Sequence, residues 1–324
     1  GQNHAEKNLI EKIKKKKLSK YLKSASLYCT LEPCAHEGKT PSCAKLLATY
    51  PLKKVVIATK DPFKKVNGEG VRILKEAGIK VELCSFFQKQ AEPLNLVFFH
   101  NLEKKRPFTA LKVATSLNGV YGVKNKRLII SSKEARDYAH FLRQFYDAIC
   151  VGPQTVICDN PCLTVRTKCV NKPRTPLRLV FDPELKALFS RKISSHKIID
   201  SNPERLIWCV SQNVLNDKKN FKILSELESF GVRFFFLNYQ RNKGFDLSQL
   251  IQKLNELSIK SLLLEGGVFV WQSFLKEKKL DYLHQFISPK IIDFKENLNF
   301  FSQVNYDSVK LLNPRVCPFT KDWV

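Results

Sequence analysis

The tripeptide His4-Ala5-Glu6 lies close to the start of the sequence, and a second stretch adds two cysteines to its histidine: Thr30-Leu31-Glu32-Pro33-Cys34-Ala35-His36-Glu37-Gly38-Lys39-Thr40-Pro41-Ser42-Cys43. One imidazole and two thiolates are suitable ligands for tetrahedral Zn²⁺, and three such ligands leave the fourth position open for water. Glu6 follows the histidine by two residues and can move a proton between that water and a leaving amine. We therefore predict one zinc ion bound by His4, Cys34 and Cys43, with Glu6 as the catalytic residue, as is typical of zinc deaminases that act on nucleobase-like rings.

The surroundings of the two cysteines support this interpretation. The run 26–31 reads as a strand that ends just before Pro33 and Cys34, and the run 43–49 reads as a helix that opens at Cys43. The N-terminus of a helix stabilises a thiolate, which suits a metal ligand. The short form of the deaminase motif has two residues between its cysteines, whereas here the charged loop 35–42 separates them.

Length and composition indicate a globular protein of two domains. The chain has 324 residues, 44% of them hydrophobic and 26% charged. No apolar run is long enough to cross a bilayer and no signal-peptide pattern precedes the motif, so we expect no membrane partner. The 10 cysteines show no repeated short spacing. Reduced thiols in a cytoplasmic enzyme are therefore expected.

The net charge of +25 raises the question of a nucleic-acid partner. The lysines are spread along the whole chain, apart from the run 12–17, which favours a solvated basic surface. We expect no nucleic acid as partner. A nucleic-acid base deaminase of the tRNA adenosine or cytidine type, with an accessory domain, remains the alternative, and a non-catalytic binding protein that keeps the fold is a third class.

The two halves of the sequence both alternate between helix and strand, which predicts mostly parallel sheets. In the first half we predict helices over 5–18, 43–49, 70–77 and 87–104, and strands over 26–31, 55–58 and 79–84. A domain boundary is expected at Lys104-Lys105-Arg106-Pro107. In the second half we predict strands over 108–114, 147–152, 177–182, 206–210, 232–236 and 261–264, and a helix to about 145 that starts at a capping box of Ser131 and Glu134.

A pair of glycines follows the last of these strands, in Glu265-Gly266-Gly267, before a helix that runs through Leu275. Glycines at the start of a helix let a phosphate group approach the backbone N–H groups. The pair does not form the G-x-G-x-x-G fingerprint of dinucleotide-binding Rossmann domains, and on its own it is more often just a turn.

In this order, the motifs resemble those of the bifunctional deaminase-reductase of riboflavin biosynthesis. The resemblance rests on the zinc loop 30–43, on Asp61-Pro62 and 66–70, and on second-domain motifs at 116–119, 147–152, 159–166 and 265–267. It implies an α/β protein in which an N-terminally truncated cytidine-deaminase-like three-layer domain (1–104) precedes a dihydrofolate-reductase-like α/β domain (105–324). It also implies two reactions: hydrolytic deamination of a diaminopyrimidinone ribose phosphate, and NADPH-dependent reduction of its ribosyl group to a ribityl chain.

The resemblance further implies which residues bind the two substrates and the cofactor. The expected NADPH-binding residues are Ala114, Thr155, Asp159, Gly267, Val268, Phe269, Val270, Trp271, Gln272 and Ser273. The expected substrate-binding residues are His36 and Lys39 in the deaminase, and Lys112, Arg143, Leu163, Arg166 and Glu265 in the reductase. The partners expected are a small pyrimidine ribose phosphate and further copies of the chain in a homo-oligomer.

The chain departs from the family pattern at a few positions. Asn118, Arg127, Ile129 and Pro183 stand where the family usually has Asp, Ser, Trp and a polar residue. The sequence contains no methionine, even at position 1, and the family's deaminase domain begins with a helix and two strands before the zinc histidine. We therefore expect an N-terminal piece to be missing from this chain, and we expect the chain as given to lack deaminase activity while its reductase half works.

Overall fold

The computed structural model describes residues 3–37, 41–62, 67–124, 127–167, 173–293, 297–300 and 302. The chain divides into two compact units, Gly1–Lys105 and Arg106–Val324. Within the described part of the chain, each helix is too short or too polar to span a bilayer.

The first unit alternates helices with short strands. Its elements are α1 (Ala5–Lys15), β1 (Ser26–Cys29), α2 (Cys43–Ala48), β2 (Lys54–Ile57), α3 (Glu69–Glu76), β3 (Lys80–Leu83), α4 (Gln88–Ala91) and α5 (Leu96–Lys104). The strands pair in the order β1-β2-β3, and both pairs are parallel. The parallel arrangement predicted from the alternation is therefore present.

Side chains on the two faces of this sheet contact different layers of helix. Val55 and Ile57 of β2 pack with Ile10, Leu47 and Leu74 from the first three helices. On the opposite face, Tyr28 and Val56 line a cavity of about 280 Å³ together with residues of the segment 84–94. Successive side chains along a strand point to opposite faces of the sheet, so one short strand contacts both helical layers. The result is the three-layer arrangement expected for a cytidine-deaminase-like domain.

The helix predicted over 87–104 is wrong in one respect, because the structure has two helices there. A 3₁₀ turn, Glu92–Asn95, separates α4 from α5, and Pro93 lies within it. Proline has no backbone N–H and its ring clashes with the preceding turn, so a continuous α-helix through this position is unfavourable.

The second unit is larger. Its elements are β4 (Phe108–Ser116), β5 (Val120–Val123), α6 (Lys133–Leu142), β6 (Ala148–Val151), α7 (Pro153–Asp159), β7 (Leu177–Phe181), α8 (Lys186–Phe189), α9 (Lys197–Asp200), β8 (Leu206–Ser211), α10 (Lys218–Ser229), β9 (Arg233–Leu237), β10 (Tyr239–Gln240), β11 (Gly244–Phe245), α11 (Leu247–Glu256), β12 (Ser261–Leu264), α12 (Val268–Lys276), β13 (Tyr282–Ser288) and β14 (Asn297–Asn299).

Seven of these strands form one sheet in the order β13-β4-β12-β6-β7-β8-β9, and its six pairs are all parallel. Strands β6, β7, β8 and β12 are buried at every position. Such fully buried, mainly apolar strands are expected where helices cover both faces of a parallel sheet. Because the strands are parallel, the loops after β4, β6, β7 and β12 lie at one edge, which is where ligands bind in α/β folds.

The start of α6 differs from the predicted capping box. The N-cap residue is Ser132, whose hydroxyl accepts a hydrogen bond from the backbone N–H of Ala135, and not Ser131. The α-helix also ends at Leu142, and a 3₁₀ turn covers Arg143–Phe145. Neighbouring serines offer the same capping chemistry, and only the direction in which the chain enters the helix selects between them.

Candidate functional site

The three predicted zinc ligands lie together in the first unit. His4 Nδ1 is 3.5 Å from Cys34 Sγ and 3.4 Å from Cys43 Sγ. Metal–ligand distances in tetrahedral zinc sites place a nitrogen and a sulfur ligand about 3.6 Å apart, so the observed spacing fits a zinc ion without rearrangement. Among the described residues, this is the one group of His, Cys, Asp and Glu side chains whose geometry could hold a metal ion. We call it the zinc cluster.

Local structure fixes each of these ligands. His4 is the N-cap residue of α1, Cys34 lies in the loop after β1, and Cys43 is the first residue of α2. The hydroxyl of Ser42 donates to the carbonyl of Cys34 at 2.8 Å and accepts from the N–H of Lys45, so one side chain both caps α2 and holds the Cys34 loop. The ligand positions therefore follow from how two helices begin.

The two sulfur atoms share one proton, so that one of them carries the negative charge. The Cys43 thiol donates to Cys34 Sγ, and so does the Cys43 backbone N–H at 3.3 Å; these contacts lower the pKa of Cys34 to about 5. The same shared proton, together with burial, raises the pKa of Cys43. Zinc binding requires both thiols to be deprotonated, so it would release the shared proton.

Glu6 lies beside the zinc cluster in the first turn of α1. Its negative charge contributes to the raised pKa of both Cys43 and Cys29. A carboxylate in this position is close to the metal ligands without being grouped with them. This placement suits a group that moves protons next to the metal.

The loop between the cysteines is only partly described. His36 is exposed, and Glu37 pairs with Lys45 of α2 at 3.0 Å. Lys39, predicted to contact the deaminase substrate, lies outside the described residues.

One acidic residue of this region was not singled out from the sequence. Glu32 is 2% exposed, and its carboxylate accepts hydrogen bonds from the backbone N–H groups of Asp61, Gly68 and Val71. Gly68, the N-cap of α3, has no side chain to cap the helix, and Glu32 supplies the missing acceptor. The position of Glu32 directly before Pro33-Cys34 is the one sequence feature that marks it. Its hydrogen-bond partners are remote in sequence, so its capping role could not be predicted.

The second candidate site lies at the carboxyl edge of the large sheet, around a buried ion pair. Arg143 Nε donates to Glu265 Oε1 at 2.6 Å and Arg143 Nη2 donates to Oε2 at 2.8 Å. The side chains are 10% and 6% exposed. The third guanidinium nitrogen donates to the carbonyl of Thr164 at 2.8 Å. Arg143 therefore fixes the orientation of Glu265 and also holds the loop after α7.

Lys112 interacts electrostatically with this pair, and Asp159 interacts with Lys112. Burial lowers the pKa of Lys112, while the negative charges of Glu265 and Asp159 act in the opposite direction. Burial raises the pKa of Asp159, whose carboxylate lies 3.6 Å from the exposed Arg127 guanidinium. We call Lys112, Arg143, Asp159 and Glu265 the charged cluster. It brings together residues from β4, the 3₁₀ turn after α6, the end of α7 and the turn after β12.

His140 also belongs to this region and was not predicted from the sequence. Its Nδ1 lies 3.0 Å from Arg143 Nη1. Burial, with the positive charges of Arg143 and Arg166, lowers the pKa of His140 to about 4, so its ring is neutral at physiological pH. A helical histidine one turn before an arginine has no distinctive sequence signature.

The predicted cofactor residues surround a close contact between two glycine turns. Gly266 and Gly267 have φ values of +119° and +81°, which favour glycine. A Cβ on Gly266 would lie 2.8 Å from Thr155 Oγ1, and one on Gly267 would lie 3.2 Å from the backbone of Gly152. Only glycine allows the turns after β6 and β12 to approach so closely.

The other predicted ligand residues differ in what they can offer. Val270, Trp271 and Ser273 are buried, and Val270 and Trp271 pack in the hydrophobic core, so the start of α12 would reach a cofactor mainly through its backbone N–H groups. Leu163 is also buried. Arg166 is exposed. Val268, Phe269 and Gln272 are partly exposed, as is Ala114, which lies on β4 opposite Phe286 of β13.

Comparison with known proteins agrees with this two-site arrangement. A family model described as the RibD C-terminal domain matches residues 107–324. The chain belongs to the RibD family. A second model, the cytidine and deoxycytidylate deaminase zinc-binding region, matches residues 1–59.

Individual members of the RibD family align with most of the chain. The riboflavin biosynthesis protein RibD of Aquifex aeolicus is 38% identical over 83% of this chain and 70% of its own length. The RibD protein of Bacillus amyloliquefaciens is 32% identical over 96% of this chain and 78% of its own length.

Solved structures of the RibD family also match. A diaminohydroxyphosphoribosylaminopyrimidine deaminase/5-amino-6-(5-phosphoribosylamino)uracil reductase from Thermotoga maritima superposes with a TM-score of 0.74 at 30% identity, covering 98% of this chain and 83% of that one. RibD from Acinetobacter baumannii gives 0.73 at 28% identity over 96% and 80%. The predicted family, its enzyme class and the two predicted domain types are confirmed, which favours the riboflavin enzyme over the nucleic-acid deaminase.

Proposed function

We propose that this chain catalyses two steps of riboflavin biosynthesis. The first is hydrolytic deamination of 2,5-diamino-6-ribosylamino-4(3H)-pyrimidinone 5′-phosphate, in which a ring amino group leaves as ammonia and a carbonyl takes its place. The second is reduction of the ribosyl group by NADPH to give 5-amino-6-ribitylaminouracil 5′-phosphate. The observation that carries the proposal is the tetrahedral spacing of His4, Cys34 and Cys43 with Glu6 beside them, in a chain of the RibD family.

In the deamination step, His4, Cys34 and Cys43 would hold zinc, which supplies a Lewis acid for hydrolysis. Glu6 would accept a proton from the attacking water and return it to the leaving amine. Glu6 lies in the first turn of α1, two residues from His4, so it would stay close to the zinc ligands during both proton transfers. His36 and Lys39 would contact the pyrimidine or its phosphate.

In the reduction step, NADPH would supply the hydride. Thr155, Asp159 and the start of α12 would bind this cofactor, because the backbone N–H groups at the N-terminus of a helix favour a phosphate. Arg166, which is exposed, would grip the substrate phosphate, since a guanidinium binds phosphate in a bidentate manner. Lys112 and Glu265 would form hydrogen bonds to the ribose, with Glu265 held in place by Arg143.

The proposal is tested by assaying the two steps separately. The chain is supplied with the diamino substrate and ammonia release is measured; it is then supplied with the deaminated product and NADPH, and loss of absorbance of the reduced nicotinamide is followed. Ammonia release by the wild-type chain decides between this proposal and the expectation from the sequence that the chain as given lacks deaminase activity. Glu6→Gln should abolish that release and leave NADPH oxidation unchanged, whereas Lys112→Met should do the reverse. If the chain oxidises no NADPH with the deaminated product, the reductase assignment is wrong.

We further propose a cytoplasmic location, because the eight cysteines among the described residues all carry free thiols, as expected in a reducing compartment. Assembly into a homo-oligomer stays a prediction, which analytical ultracentrifugation of the purified chain would test.

A further inference from the structure

Arg178 is a buried cation in β7 that no site described above uses. Its side chain is among the largest in the protein that are fully buried. Its guanidinium donates to three backbone carbonyls: Cys162 at 3.0 Å, Ile198 at 2.7 Å and Asn202 at 2.5 Å. An arginine has five N–H donors in a rigid fork, so it can hold three chain segments in one geometry.

The carbonyl of Cys162 belongs to the loop that carries the predicted substrate ligands Leu163 and Arg166. Two residues further along, the carbonyl of Thr164 accepts from Arg143 at 2.8 Å. Between the two anchored carbonyls, Leu163 has a φ of +54°, a left-handed conformation that costs energy for a residue with a side chain. The loop is thus held on both sides of a strained residue by two buried guanidinium groups.

The same loop is tied at its start to the segment 193–202. Asn160 Nδ2 donates to the carbonyl of Ser195 at 3.0 Å, and Asn160 Oδ1 accepts from the N–H of Lys197 at 3.0 Å. Arg178 contacts the same segment through Ile198 and Asn202. The segment 193–202 therefore serves as a support on which the loop is mounted, with Arg178 as the central link.

We propose that Arg178 is a positioning residue of the reductase, which sets the location of Arg166 by fixing the loop 160–164 on the support 193–202. Arg178 itself is fully buried and so acts through this loop and not on the substrate. This inference rests on the proposed role of Arg166 in substrate binding. A displacement of about 1 Å at a substrate-binding group is enough to cost up to roughly a hundredfold in rate, so a remote anchor has measurable consequences.

The test compares Arg178→Lys with Arg106→Lys in the full chain. Arg106 is also a largely buried arginine of the second unit, but it pairs with Asp281 at 2.6 Å near the start of β4, away from the carboxyl edge of the sheet. A lysine keeps the charge in both cases but cannot hold several partners in a fixed fork. Both variants should melt at a lower temperature than the wild type.

Only Arg178→Lys should change substrate recognition. We expect its KM for the deaminated ribose phosphate to rise about tenfold, with the KM for NADPH changing less than about twofold. Hydrogen exchange of the amides in 163–167 should become faster in this variant and not in Arg106→Lys. An unchanged substrate KM in a folded Arg178→Lys protein, or an equal rise in Arg106→Lys, would overturn the proposal.

A second variant decides the matter if Arg178→Lys does not fold. Asn160 has a φ of +42°, so Asn160→Gly keeps the backbone conformation while removing both hydrogen bonds to the support. The substrate KM should rise roughly three- to tenfold; no rise overturns the proposal. If the wild-type chain does not catalyse the reductase reaction, the proposed function is wrong. Failure of the Arg178 proposal is therefore distinguishable from failure of the proposed function.

Discussion

The zinc cluster and the charged cluster concentrate charge in opposite ways. The zinc cluster brings two sulfur atoms, one with a pKa of about 5, next to the carboxylate of Glu6. Like charges at such a site repel, and a bound cation is needed to compensate them. The charged cluster instead pairs its buried Arg143 with Glu265 in a bidentate contact and adds Lys112 against Asp159. Its charges compensate one another.

This difference predicts different requirements for folding. The zinc cluster should gain much of its order when the metal binds, because ligand deprotonation and metal binding are coupled. The charged cluster should be formed before any ligand binds, because a buried charge without its partner is strongly unfavourable. Preformed positions suit a hydride transfer that depends on alignment, whereas a bound zinc ion would supply the Lewis acid at the zinc cluster.

The largest effect should come from removing a zinc ligand. Cys34→Ser and Cys43→Ser should each lower the affinity for zinc by at least about 100-fold, since even changes behind the ligands cost 10- to 100-fold. Metal analysis by mass spectrometry should find about one zinc per wild-type chain and almost none in the variants. Cys84→Ser, outside the zinc cluster, is the control. Equal zinc content in all four proteins would contradict the assignment of the ligands.

Breaking the buried ion pair should be the next largest effect. Glu265→Gln leaves Arg143 buried without its carboxylate and should lower the free energy of unfolding of the second unit by about 3–5 kcal/mol. Denaturation with urea, followed by fluorescence of the tryptophans, measures the loss. The double variant Arg143→Met/Glu265→Leu removes both charges and should lose less than Glu265→Gln alone. If the double variant loses as much, the ion pair does not account for the cost.

A smaller effect is expected at the rim of the same cluster. Arg166 is exposed, so Arg166→Ala should leave the melting temperature unchanged. Substrate binding should weaken by roughly 1.5–3 kcal/mol, the range for a hydrogen bond to a charged group. Steady-state kinetics with the deaminated ribose phosphate would measure this as a rise in KM. A KM equal to that of the wild type would remove Arg166 from the site.

The smallest effect concerns pH. Burial lowers the pKa of His140, His196 and His284 from 6.5 to about 4. A histidine whose pKa is lowered on folding binds its proton more readily when unfolded, so its contribution to stability is complete above pH 6.5 and is lost as the pH falls towards 4. The melting temperature of the second unit should fall over this window.

The variant His284→Gln sharpens this prediction. His284 Nε2 lies 2.7 Å from the hydroxyl of Tyr146, and a glutamine can keep a hydrogen bond there without titrating. The slope of melting temperature against pH between 6.5 and 4 should therefore become shallower, because fewer protons are taken up on unfolding. An unaltered slope would show that His284 does not contribute to it.

The sequence predicts the order of helices and strands better than their exact ends. In the first unit the order is correct, but the helix predicted over 87–104 is divided at Pro93. In the second unit the N-cap residue of α6 is Ser132 and not Ser131. A hydrophobic period identifies which residues face the core, but the ends of helices depend on individual hydrogen bonds. The family resemblance predicts all four residues of the charged cluster, but it does not predict the role of His140, which contacts Arg143, or that of Arg178, which holds the loop 160–164.

The sequence by itself predicted that His4, Cys34 and Cys43 come together, that the chain has two units, and that its two larger sheets are parallel. These features follow from residue chemistry at short spacings and from the periodic burial of apolar residues, both of which are written along the chain. Only the tertiary structure decided that Arg143 is committed to Glu265, that Glu32 caps α3, and that Arg178 joins the loop after α7 to the segment 193–202. Each of these contacts puts a buried charge against partners distant in sequence, and the cost of leaving such a charge unpaired is set by the folded interior and not by neighbouring residues.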